Sequence, residues 1–132
     1  MTTKSSGFTL IELLVVVAIL GIISAIGVVA YNGYISGTQK KSAENIMQQI
    51  ALAETEEYSS YGSYHSNGNT CTKTTTQDIG SSLFGSINYI DADKIGYYFC
   101  VLATGSTYTV HAHSIKAGCK MTLDSSGNFT KC

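Results

Sequence analysis

The chain changes character once along its length. From Phe8 to Ala30 almost every position is apolar, and Glu12 is the one ionisable side chain inside the run. As a helix this run spans about 34 Å, enough to cross the hydrocarbon core of a bilayer. Beyond it the pattern becomes periodic: Ala43, Ile46, Met47, Ile50, Ala53, Tyr58 and Tyr61 recur mostly at steps of three and four. That is the stripe of an amphipathic helix, continuing to about residue 60. Between the halves lies "YNGYISGTQKKS", a weak helix former with two glycines, which predicts a hinge or a frayed turn. Residues 61–95 read as a polar connecting loop, in which "DIGSSLF" forms a short capped helical turn.

From residue 96 to residue 132 the period falls to two. "YYFCVLA", "TYTVHAHS", "CKMTLD" and "NFTKC" are short runs rich in β-branched and aromatic residues, separated by "TGS", "IKAG" and "SSG". These spacings predict an antiparallel sheet of about four strands. Alternation puts Tyr108, Val110 and Ala112 on one face, Thr109, His111 and His113 on the other, and Met121 with Leu123 on a shared face. A sheet with one wet side packed on the amphipathic helix satisfies both exposed stripes, an α+β arrangement.

Composition narrows the setting. Of the 132 residues, eight are Lys and none Arg, against nine carboxylates, for a net charge of −1; a general nucleic-acid-binding surface is excluded. Cys71, Cys100, Cys119 and Cys132 all follow the apolar run, and no two of them have Cys-x-x-Cys spacing. Structural disulfides are expected, which places this half in an oxidising, extracytoplasmic space and leaves Lys4 inside. Four cysteines allow three pairings. The turn signal "DSSG" between Cys119 and Cys132 favours Cys119–Cys132 with Cys71–Cys100, although spacing alone leaves the choice open.

A carboxylate within an apolar run is costly in lipid and marks a functional position whose partner has to be found. The stretch "MTTKSSGFTLIELLVVVAILGIISAIGVVAYNGY" resembles the N-terminus of type IV pilins, closely over Gly7–Tyr34. The resemblance implies a leader at 1–7, cleavage between Gly7 and Phe8 by a prepilin peptidase, and N-methylation of Phe8. It implies a membrane or filament-core helix at 8–30 and an extracytoplasmic domain at 31–132. Glu12 would neutralise the Phe8 amine of a neighbouring copy, because a buried ammonium without a counter-ion is very costly. Tyr31 and Tyr34 match aromatic positions of such chains. Val29 stands where many of them carry proline; this chain has none, so any kink must fall at Gly21, Gly27 or Gly33.

The function implied is a structural subunit that assembles with itself and other pilins, first held in the inner membrane and then exposed on the cell surface. An assembly platform belongs to the same picture. Adhesion, motility or DNA uptake would be the output. Two rivals share the N-terminus: a pseudopilin of a type II secretion system, and a minor pilin that binds DNA through Lys116, Lys120 and Lys131. Three lysines would give only salt-sensitive binding, and lysines on a strand edge also guard against aggregation. No cofactor, metal or catalytic centre is expected. His111 and His113 lack a third ligand, Asp91 and Asp93 lack the oxygens of a calcium loop, and no nucleophile motif is present. Asn128 opens a formal glycosylation triplet, to which no weight attaches.

Overall fold

In the computed structural model, which describes residues 7–116 and 118–132, helix α1 runs from Leu10 to Tyr61. Residues 1–6, including Lys4, lie outside the described residues. The chain divides into two compact units, Met1–Gly37 and Thr38–Cys132. Helical hydrogen bonding continues through Gly21, Gly27, Gly33 and Gly37, so the expected break at "YNGYISGTQKKS" is absent. Glycine raises the cost of a helix there without forbidding it.

In the second unit α1 lays one face on a four-stranded sheet. Strands β1 (Tyr97–Thr104), β2 (Thr107–Ser114), β3 (Lys120–Asp124) and β4 (Phe129–Thr130) follow one another in space as in sequence, all antiparallel. Gly105, at φ +60°, opens the two-residue turn between Thr104 and its partner Thr107. The covered face carries Phe99, Val101, Tyr108, Val110, Ala112, Met121 and Leu123; Ala43, Met47 and Ile50 of α1 complete the core. Each large apolar side chain fully buried there contributes about 1.5–3 kcal/mol. The expected stripe therefore holds through Ile50 and fails at its end. Tyr58 and Tyr61 are exposed, the latter at 76%, and Glu54 is the buried residue of that last stretch.

Residues 61–95 are not one loop. Helix α2 (Lys73–Leu83) begins five residues earlier than the "DIGSSLF" turn, and α3 (Ala92–Ile95) closes the segment. Three consecutive threonines argue against a helix by propensity. They are offset by a reciprocal cap, in which Thr72 Oγ1 accepts from Thr75 N and Thr75 Oγ1 accepts from Thr72 N. Asp91 caps α3 by accepting from Lys94 N.

These threonines also solve the edge problem of β1. Thr76 Oγ1 accepts from Phe99 N at 2.9 Å and Thr75 Oγ1 donates to Phe99 O at 2.8 Å. Asn67 Oδ1 accepts from Val101 N, Asn67 N donates to Val101 O, and Ser66 Oγ accepts from Ala103 N. Side chains of residues 66–76 thus stand in for a fifth strand and leave no open template for another chain. Two disulfides staple the unit, joining Cys71 to Cys100 and Cys119 to Cys132. Their sequence separations, 29 and 13, correspond to roughly 3–4 kcal/mol each on a chain-entropy basis.

Candidate functional site

The first unit presents its chemistry at the start of α1. Thr9 is the residue before the helix: its Oγ1 accepts from Glu12 N at 3.2 Å, and Glu12 Oε2 accepts from Thr9 N at 3.2 Å. The pair is a capping box, with the carboxylate in the first turn, where the helix dipole favours negative charge. The signature Thr-x-x-Glu was written in "TLIE" and is the signal the sequence reading passed over. One carboxylate oxygen, Oε2, is engaged within its own chain; among the described residues no bond is made by the other, Oε1.

Around this acid every described residue from Gly7 to Gly37 is exposed. Phe8 is 87% exposed and Leu10 82%, and the apolar surface continues on all sides of the helix through Val29. Farther along the run Ser24 Oγ donates to Leu20 O, a local bond that consumes the polar group in place. A helix apolar all round is suited to lipid or to other helices, not to water. Its length and composition meet the requirement for crossing a membrane. Gly7 and Phe8 precede the helix and are exposed, so the Gly7–Phe8 peptide bond is open to approach.

In the second unit the remaining residues singled out from sequence separate. Lys116 and Lys120 are exposed, but Lys131 Nζ lies 3.1 Å from Glu44 Oε1 and over the Phe129 ring. Lys40 Nζ donates to the backbone oxygen of Cys132 at 3.0 Å. Partial burial works to raise the Glu44 carboxyl, but the hydrogen bond and charge of Lys131, helped by Lys41, outweigh it and hold it below the ordinary value. The chain around the Cys119–Cys132 bridge is therefore clasped to α1 by two lysines.

His111 and His113 share the outer face of β2 with ring centroids 6.1 Å apart. Burial lowers both, and the Lys120 and His111 charges lower His113 further, so both rings favour the neutral form. Among the described residues no three His, Cys, Asp or Glu side chains are grouped to hold a metal. Asp91 is spent on its cap. Asn128 sits in the β3–β4 turn, which Asp124 organises by accepting from Ser126 N and Asn128 N.

Residues 2–28 match the prokaryotic N-terminal methylation motif. Among curated proteins, the fimbrial protein of Neisseria meningitidis serogroup A is 34% identical over 87 residues, 66% of this chain and 51% of that protein. A type IV major pilin of Neisseria gonorrhoeae is 39% identical over 67 residues, 51% of this chain and 41% of its own. The type IV major fimbrial protein of Dichelobacter nodosus is 56% identical over 54 residues, 41% of this chain and 30% of its own. The chain spans about half the length of the first two curated relatives it matches. No solved structure matches it.

Proposed function

We propose that this chain, a type IV pilin, is a structural subunit that polymerises through its N-terminal helix into a pilus filament. The observation that carries the reading is the fully exposed apolar surface of residues 8–37 with a single capped carboxylate at its head. Before assembly, lipid covers that surface and the precursor waits in the inner membrane. Prepilin peptidase then cuts after Gly7, and the new amine at Phe8 is methylated with its charge kept. In the fibre, helices of other copies replace lipid, and Glu12 Oε1 meets the Phe8 ammonium of a neighbour, setting axial register. An inner-membrane platform drives the exchange, and the second unit forms the outer surface.

Adhesion, motility and DNA uptake are the outputs open to such a fibre. The fimbrial and major-pilin names of the relatives support a pilus over a secretion fibre. A DNA-binding minor pilin loses one of its three lysines to Glu44.

The cap makes one substitution informative. Glutamine at position 12 keeps an oxygen to accept from Thr9 N, so Glu12→Gln removes the charge and spares the cap. Leaving a buried ammonium unpaired costs about 3–5 kcal/mol, and fibre yield should fall roughly tenfold or more. Mass spectrometry of sheared surface fibres should find chains beginning at methylated Phe8. Fibres of normal yield from the variant would remove Glu12 from the mechanism, and an intact leader in wild-type fibres would overturn the assignment.

A further inference from the structure

A second carboxylate lies in an apolar setting, and nothing in filament assembly uses it. Glu54 is fully buried on the inner face of α1. Its Oε2 accepts from His65 N at 2.9 Å, while Oε1 is buried with no hydrogen-bond partner. Eleven residues on in sequence, His65 is held at its other end too: its Nε2 lies 2.7 Å from Asp78 Oδ2 on α2. Asp78 Oδ2 also accepts from Asn67 Nδ2 at 3.0 Å, and Asn67 is the residue that covers the edge of β1 at Val101. Above Glu54, Tyr64 stacks on Tyr58 and meets Tyr108 edge to face. The segment from Gly62 to Thr72 is thus fastened to α1, α2 and β1 through a few polar groups, one of them a buried carboxyl.

We infer that Glu54 is a proton-dependent latch, which holds segment 62–72 against the sheet edge when protonated and releases it when the proton leaves. A neutral carboxyl tolerates this site; an ionised one would be a buried charge with half its acceptors unfilled. Burial therefore pushes Glu54 up to about 7, with the His65 N–H pulling it down and the Glu57 charge raising it again. The other groups that face it are Tyr64 and His65 from the segment, Asp78 from α2 and Tyr108 from β2. Tyr108 is pushed up by its own burial and stays neutral. Asp78 is pushed up by burial but held below its ordinary value overall by Asn67 and His65, so it stays charged.

The closed segment binds protons more tightly than the open one, so closure weakens as pH rises from about 4.5 through 7. Opening is hinged, because the segment is tied at one end to α1 and at the other by the Cys71–Cys100 bridge. It would free Val101 and Ala103 N–H on the outer edge of β1, turning a covered strand into one able to pair with another chain.

Hydrogen exchange read by mass spectrometry on the full chain in detergent micelles tests this, with rates corrected for the intrinsic effect of pH. Protection of residues 63–70 should fall roughly tenfold or more between pH 5.5 and pH 8, with about thirtyfold the ceiling set by an ordinary glutamate in the open segment. Amides of β2 and β3 should hold their protection. Glu54→Gln should keep the segment closed across the range. Glu57→Gln, which removes the neighbouring charge that raises Glu54, should move the wild-type midpoint to lower pH. Unchanged wild-type protection from pH 5.5 to 8 would overturn the latch, as would the full wild-type response surviving in a folded Glu54→Gln chain. A Glu54→Gln chain that does not fold leaves the wild-type profile and the Glu57→Gln midpoint to decide, and a midpoint that stays put counts against it.

Discussion

At the scale of single residues, two glutamates carry most of the chemistry and differ in how visible they were. Glu12 stands out because its neighbours are apolar in every direction along the chain. Glu54 does not, since "AETEEY" reads as an ordinary solvated helix face. Its burial depends on the segment beyond Tyr61 returning over it, which no local pattern encodes. Thr76 is similar: a mid-helix threonine by sequence, it is 1% exposed and bonded to Phe99 N. Thr76→Val keeps the shape and strands that N–H, so it should lower stability by about 1–3 kcal/mol in chemical denaturation. Gly80 is held by close approach rather than by its own dihedrals. A Cβ there would meet Ser86 O at 2.5 Å, so Gly80→Ala should cost about 1–3 kcal/mol, read as a lower denaturation midpoint.

At the scale of elements, periodicity found what repeats and missed what is held by long-range bonds. The 3.6 period of α1 and the alternation of β2 and β3 followed directly from the order of apolar positions, and the buried faces are those expected. The first half of helix α2 escaped because consecutive threonines fill it; its stability comes from the Thr72–Thr75 cap and from anchoring to β1. The stripe of α1 overran at Tyr58 and Tyr61 because the sheet is too short to cover them. The last strand, β4, has only two residues, and the Cys119–Cys132 bridge with the Lys131–Glu44 pair compensates. Replacing both cysteines by serine should cost about 3 kcal/mol and raise hydrogen exchange at Phe129 and Thr130 before the other strands are affected.

At the scale of the whole molecule, the two units answer to different surroundings: one is exposed at every described position and mostly apolar, the other encloses a core. The pH response belongs to the second. Glu54, raised to about 7, contributes stability that is present at low pH and lost as pH rises from about 4.5 through 7, by about 2–3 kcal/mol in total. Glu44 and Asp78, both lowered, contribute stability that is present above their ordinary values and lost as pH falls through their folded ones. Thermal melting of the full chain in detergent should therefore peak on the acid side of neutral. Glu54→Gln should remove the decline toward pH 8 and leave the acid limb in place.

The order of residues was enough to establish the apolar helix, its acidic head, the amphipathic continuation and a four-stranded meander, because each is governed by neighbours within a few positions. It also required the cysteines to pair, but allowed three ways. Which cysteines meet, which side chains seal β1, and which carboxyl loses its water were settled by packing. Those outcomes depend on segments tens of residues apart arriving at one place, where a missing hydrogen bond or an unpaired charge costs more than local preference can offset.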